Sequence, residues 1–184
     1  VYKCIENDGA TASTTEPTST SNSIFSTADG YKWKYMYSLT SAETLNFMST
    51  DFIHCSTDST VSAAAVDGAL DTILIVAAGS SYSTTSGATI SAIPIRGDGS
   101  GGVASVVISS GTITAPTVTT AGTGYTYAYI TNADIITATN AAGAGSGGNL
   151  NVIIPPKGGH GYNALTECGA FYVMLNKSLV GAEG

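Results

Sequence analysis

The sequence predicts a mainly β chain, and three observations carry that reading. Only 10% of residues are charged and Gly numbers 22, with Ser, Thr and Ala filling much of the rest, a composition suited to short strands and turns. Residues 31–39 alternate aromatic or apolar side chains with others at the period of a strand. A strand-like run ending in Ala-Gly-x-x-Tyr occurs twice, and so does the tetrapeptide Gly-Ser-Gly-Gly. Together these predict a β-sandwich-like host domain that carries an inserted, duplicated β-module and one short helix.

In chain order, Val1-Tyr2-Lys3-Cys4-Ile5 reads as a strand, and residues 6–28 have the Ser/Thr/Asn/Asp composition of an exposed loop. Asp29-Gly30 signals a turn. The clearest strand follows it, with Tyr31, Trp33, Tyr35, Tyr37 and Leu39 on one face and Lys32, Lys34, Met36 and Ser38 on the other. The aromatic face is assigned to core, which leaves Lys32 and Lys34 for partners. Thr40-Ser41-Ala42-Glu43 has capping-box spacing ahead of Leu45, Phe47 and Met48, predicting a helix near residues 41–48. Asp51 to Cys55 reads as a second strand leading into a polar linker.

From about Asp67 to Pro155-Pro156 aromatic residues thin out and Gly, Ala, Ser, Thr, Val and Ile dominate. Ile73 to Tyr82 matches Ile113 to Tyr125 at an offset of 43. Gly99-Ser100-Gly101-Gly102 matches Gly145-Ser146-Gly147-Gly148 at an offset of 46, and each is followed by an apolar strand, Val103–Ile108 and Leu150–Ile154. The glycines are read as turns, each covered by a Tyr ring. Two copies are fewer than a solenoid normally needs, which favours a compact sandwich-like module. After residue 157 the mixed composition returns, and Phe171-Tyr172-Val173-Met174-Leu175 reads as a strand buried on both faces. The layout is a host domain of residues 1–66 plus 158–184, interrupted by an insert of residues 67–157. The chain opens on a strand-like run without Met and closes on apolar residues, as expected of a piece of a longer protein.

The net charge of −7 and the scatter of the six basic residues argue against a phosphate backbone as partner. No apolar run reaches the roughly 20 residues that span a bilayer, so neither nucleic acid nor membrane is expected. Cys4, Cys55 and Cys168 are odd in number and far apart in sequence, and reduced, buried thiols are expected.

Several strings imitate chemistry. His54-Cys55 and Gly97-Asp98-Gly99-Ser100-Gly101-Gly102 resemble serine-protease motifs, but an extra Gly separates Asp98 from Ser100 and the Gly-Ser-Gly-Gly element recurs. His54 and His160 have no Cys or His at ligand spacing, and Gly97-Asp98-Gly99 is a fragment of a calcium-type repeat. The run Gly143 to Gly148 lacks the Lys-Ser/Thr of a phosphate loop, and Asn176-Lys177-Ser178 meets the glycosylation pattern without a secretory leader. No catalytic, cofactor-binding or metal-binding residue is assigned, and no enzyme activity or cofactor is expected.

Val1-Tyr2-Lys3-Cys4-Ile5, Glu16-Pro17 and, above all, Asp29-Gly30-Tyr31-Lys32-Trp33-Lys34-Tyr35-Met36-Tyr37 resemble the "V-Y-x-C … D-G-Y-x-W-x-Y" segment of one family. It is the baseplate wedge subunit, gene product eight, of contractile-tailed T-even-like phages. The Gly-rich β insert with Gly158-Gly159-His160-Gly161 resembles marine and cyanophage members. The likeness covers residues 1–53 best and 158–184 more weakly. It implies a β-rich structural protein that forms a homodimer, joins other wedge proteins, is assembled in the host cytoplasm and resides in the virion tail baseplate. The alternative is a glycan- or host-surface-binding β-module of a phage adhesin. An adhesin should expose aromatic rings in a groove, whereas an assembly part should bury Tyr31 to Tyr37 and offer extended edges.

Overall fold

A computed structural model describes residues 1–82, 87–139, 145–178 and 181. The chain is mainly β, and it divides into two compact units, residues 1–63 with 160–184 and residues 64–159.

The first unit holds one three-stranded antiparallel sheet in the order β1 (Tyr2–Glu6), β3 (Lys32–Tyr35), β2 (Phe25–Ser26). Tyr2 faces Tyr35 and Cys4 faces Trp33 across the β1/β3 ladder. The polar loop before β3 is tied down by Asp29, whose carboxylate accepts from the Thr14 and Thr15 backbone N–H groups and from the Ser13 and Thr27 hydroxyls. Those bonds, led by the Thr27 hydroxyl, hold its pKa far below the usual carboxylate range.

The aromatic alternation holds only in part. Tyr31 and Tyr37 are buried, Trp33 and Tyr35 are half-buried, and Met36, expected on the opposite face, is buried as well. The strand ends at Tyr35, so the period-two rule lapses, and Met36 and Tyr37 instead pack with Ala164, Val1 and Leu39. Lys32 and Lys34 are engaged rather than free: Lys32 pairs with Glu6 at 2.8 Å and Lys34 donates to the Asn22 carbonyl.

Helix α1 (Ser41–Phe47) forms as predicted, with a capping box in which the Glu43 N–H donates to Thr40 Oγ1 and the Thr40 N–H donates to Glu43 Oε2. Two further helices, α2 (Ser59–Ala64) and the short α4 (Ala164–Glu167), lie in stretches read as linker and loop. Asp58 starts the first by accepting from the Thr60 N–H, and Asn163 starts the second by accepting from the Thr166 N–H.

Two strand predictions fail in this unit. Asp51–Cys55 is irregular, with Phe52 and Ile53 exposed, and Phe171–Leu175 is in no helix or sheet and is exposed, with Phe171 at 89% and Leu175 at 91% exposure. An apolar run becomes a buried strand only where a sheet edge and a covering layer are available. Here the single small sheet offers no second layer.

The second unit builds its core between two sheets. One has the order β4 (Thr72–Ser80), β11 (Ser146–Ile153), β10 (Ala128–Ile130), β6 (Arg96–Gly97). The other has β5 (Ala88–Pro94), β7 (Ser100–Ser109) and β8 (Thr112–Ile113) in order, with β9 (Thr117–Thr123) also pairing β7. Ile73, Leu150 and Ile130 from the first sheet join Ile93, Val106 and Ile108 from the second in one buried cluster, with Ile135 of helix α3 (Asn132–Thr139). That helix was not predicted, although Thr131 and Asp134 form its capping pair.

The duplication is present, but the two copies exchange strands. Strand β4 of the first copy pairs with β11 of the second, and β9 of the second pairs with β7 of the first. Both ladders have the same register: Ser146 faces Ser80 and Gly148 faces Ala78, as Ser100 faces Thr123 and Gly102 faces Ala121. Both slip at the same place, between Asn149 and Leu150 and between Val103 and Ala104.

Tyr82 and Tyr125 occupy equivalent boxes. The Tyr82 N–H donates to the Gly111 carbonyl and the Tyr125 N–H to the Gly68 carbonyl, each at 3.1 Å. Gly79 (φ +64) and Gly122 (φ +61) lie under the two rings, where an added Cβ would stand 2.6 Å from the Gly148 nitrogen and 2.5 Å from the Ser100 oxygen. The Gly-Ser-Gly-Gly elements are therefore not turns: Ser100–Gly102 and Ser146–Gly148 open strands β7 and β11, and their bare backbone is the floor on which the tyrosines lie. The part of the second glycine run at residues 143–144 lies outside the described residues.

Candidate functional site

The protease-like strings separate at once. His54 belongs to the first unit, where its Nε2 lies 3.2 Å from Glu43 Oε1, the same carboxylate that caps α1. Ser100 belongs to the second unit and opens strand β7 opposite Thr123. Asp98 is not aimed at a nucleophile: it accepts from the Thr126 hydroxyl at 2.5 Å and from the Thr126 and Tyr127 N–H groups at 2.8 and 3.2 Å. These bonds, the hydroxyl first, hold its pKa at about 2. The residue ties the loop before β7 to the chain entering β10.

His160 lies in a buried ionic cluster. Its Nδ1 contacts Glu167 Oε1, which also receives Lys3 Nζ at 2.8 Å, while the Gly161 N–H donates to Glu167 Oε2 at 2.9 Å. Burial alone would raise the Glu167 pKa, but the His160, Lys3 and Gly161 bonds outweigh it and hold it at about 2. Gly161 (φ +89) lies so close to the Met36 carbonyl that an added Cβ would stand 2.8 Å from it. His160 and Gly161 thus clip strand β1, the end of β3 and helix α4 together. Among the described residues no group of three or more His, Cys, Asp or Glu side chains is arranged to hold a metal ion, and no helix is long and apolar enough to cross a membrane.

The cysteines depart from expectation: Cys4 and Cys168 are exposed and Cys55 is half-buried, all free. Cys55 and Cys168, distant in sequence, are near one another, and Tyr37 Oη lies 3.5 Å from Cys55 Sγ while donating to the His54 carbonyl at 2.7 Å. Burial, then the adjoining Cys55 and Glu167, push the Cys168 thiol up.

Beside this group an apolar cleft of about 620 Å³ opens in the first unit, lined by Phe47, Phe52, Ile53, Leu165, Tyr172 and Met174. The segment at residues 172–175 forms one wall. Its Tyr172 ring meets Phe52 edge-on with centroids 5.8 Å apart, and the Asn176 side-chain amide donates to the Asn46 carbonyl. Asn176, read as a chance glycosylation pattern, serves as an anchor.

A second exposed feature lies in the insert. Tyr127 and Tyr129, 57% and 47% exposed, stack with centroids 6.4 Å apart and planes 7° apart. The signal for them in the sequence is the period of two in Tyr125-Thr126-Tyr127-Ala128-Tyr129, shorter than the aromatic run at residues 31–37. Comparison with family models, with curated proteins and with solved structures finds no match.

Proposed function

We propose that this chain is a structural, non-enzymatic part of a contractile phage tail baseplate wedge, acting by protein–protein contact as a homodimer that joins other wedge proteins. The observation that carries this reading is the segment Phe171–Leu175, which lies in no helix or sheet and exposes large apolar side chains. A chain segment outside any sheet can associate by adding to a sheet edge, where backbone hydrogen bonds supply affinity and alternate side chains supply selectivity. The same unit supplies such edges, because β1 and β2 flank β3 in its only sheet among the described residues.

The wedge assignment draws on the likeness of the Val-Tyr-x-Cys and Asp-Gly-Tyr-x-Trp-x-Tyr strings. In this unit those residues are β1, the Asp29-centred loop and β3, with Tyr31 and Tyr37 buried and Trp33 and Tyr35 half-buried, which meets in part the burial expected of an assembly part. Assembly in the host cytoplasm and residence in the tail baseplate follow from the same reading.

Sedimentation of the chain at micromolar concentration tests it. A dimer or larger species is expected, falling toward the 18.5 kDa monomer when Phe171 and Leu175 are changed to Ser. A monomer alone, or association insensitive to that change, refutes it. Antibody labelling of purified virions should mark the tail baseplate, and hydrolase screens should be blank.

A further inference from the structure

The assembly reading uses the first unit and leaves unexplained the aromatic face of the insert. That face is defined by register. Arg96 on β6 and Asn151 on β11 stand directly opposite Tyr129 on the central strand β10, and Leu74 on β4 stands opposite Asn151. Directly paired residues project from the same side of a sheet, so Arg96, Tyr129, Asn151 and Leu74 form one row across all four strands. The neighbouring positions Ile130, Leu150 and Val152 are buried and turn the other way, into the core. The row therefore faces outward. Tyr127 adds a second ring parallel to that of Tyr129.

Nothing in the fold calls for these rings. The buried tyrosines of the duplicated scaffold are Tyr82 and Tyr125; at the offset of 43 that relates them, Tyr127 and Tyr129 correspond to Thr84 and Ser86. One copy thus carries two large rings where the other has small hydroxyl residues. Two half-exposed rings gain little stability from burial.

We propose that Tyr127, Tyr129, Arg96 and Asn151 form a binding platform for a neutral oligosaccharide. A pyranose has an apolar face of C–H bonds and a rim of hydroxyls. Two parallel phenol rings, one on strand β10 and one in the bend just before it, offer apolar surface to successive sugar units and lose little side-chain freedom on binding. Asn151 presents an amide that both donates and accepts, which suits neighbouring hydroxyls, and Arg96 retains N–H donors beyond those it directs at Asp134.

Charge decides the class of sugar. Arg96 gives its Nε and Nη2 to Asp134 Oδ1 at 3.1 and 2.6 Å, so the guanidinium charge is already matched by a carboxylate. Without a free cation, and on a chain of net charge −7, sulfated, sialylated or uronic glycans would meet repulsion rather than a counter-charge. A protein partner fits less well, since stable interfaces cover about 800 Å² per side around an apolar centre, whereas the large apolar side chains here are two rings, the exposed Val76 and the half-buried Leu74 and Ile153.

The full chain is applied to an array of neutral, sialylated, sulfated and uronate glycans, and the best neutral binder is titrated by calorimetry. Retention of neutral glycans is expected. Changing Tyr127 and Tyr129 together to Ala should weaken binding at least about tenfold, roughly 1.4 kcal/mol, without moving the unfolding midpoint. Tyr129→Phe should keep most of the affinity, because the ring face and not the hydroxyl is used. Four outcomes overturn the proposal: an array silent for neutral glycans; retention of acidic glycans only; binding unchanged by the double Ala variant; or a silent array with sedimentation altered by that variant, which would make the face a contact between copies. The first three leave association through Phe171 and Leu175 untouched, and the fourth is told apart from it by sedimentation of the Phe171 and Leu175 variants, so this proposal and the assembly reading fail separately.

Discussion

The two units of this chain stabilise themselves by opposite means. The insert encloses fifteen buried residues between two sheets, and its halves lock by reciprocal strand exchange, with glycine backbone under tyrosine rings. The host unit buries only Met36, Tyr37 and Ala164 as a cluster and relies on a capping box, a carboxylate-bound loop and the Lys3–Glu167–His160 clip. It also leaves its longest apolar run in the open. Apolar area removed from water is the main favourable term in folding. A unit that buries so little and exposes so much is suited to gain the remainder from partners, whereas the insert is closed on itself.

That contrast makes steric changes costly in the insert and charge changes costly in the host. The largest effect should come from Gly79→Ala and Gly122→Ala, which each force a Cβ into backbone at a positive φ. Each is expected to cost about 3 kcal/mol or more, and the two should agree closely because their surroundings match. Urea denaturation followed by hydrogen exchange should show the loss confined to residues 64–159. A large inequality between the two variants would break the equivalence of the copies.

A smaller effect separates the two tyrosines. Tyr125 Oη is buried, accepting from the Gly102 N–H and donating to the Ile95 carbonyl, whereas Tyr82 Oη, set against the Gly148 backbone as Tyr125 Oη is against Gly102, donates to a side chain, that of Asn132. Tyr125→Phe orphans two buried backbone groups and should cost about 2 kcal/mol; Tyr82→Phe should cost about 1 kcal/mol, since Asn132 is only half-buried and can turn to water. Equal losses in thermal melts would show that the partners of the two hydroxyls do not matter.

The host unit should respond to acid. Glu167 has a folded pKa of about 2 against an ordinary 4.5. A depressed carboxylate pKa contributes stability that is fully present above the unfolded value and is lost as pH falls through the folded one. The host unit should thus weaken between about pH 5 and pH 2, by on the order of 2 kcal/mol after allowance for solvent screening. Glu167→Gln should remove the share of that dependence that Glu167 carries, leaving the shares of Asp29, Glu43 and Asp58, while lowering stability at neutral pH. A host-unit acid profile identical in this variant would remove the clip from the account.

The smallest effect on stability is expected where the effect on association is largest. Phe171→Ser and Leu175→Ser remove side chains that are about nine-tenths exposed, so their melts should stay within about 0.5 kcal/mol of the parent. A substantial destabilisation would mean that the segment is part of the host core after all.

The amino-acid sequence by itself determined the β class, the capped helix at Thr40–Glu43 and the equivalence of Tyr82 and Tyr125, because each rests on local chemistry or on self-similarity along the chain. Capping signals at Asp58, Thr131 and Asn163 were equally local and were overlooked beneath a β-rich composition. Other features needed the folded chain. That the repeats exchange strands cannot be read from a repeat, since pairing within a copy and between copies leaves the same pattern. Whether Phe171–Leu175 is buried depends on a sheet layer that the host unit does not supply. The outward row Arg96–Tyr129–Asn151 joins residues from three strands whose register is set by long-range pairing. Periodicity reports which side chains share a face of one strand; only tertiary structure decides which strands adjoin and which face meets water.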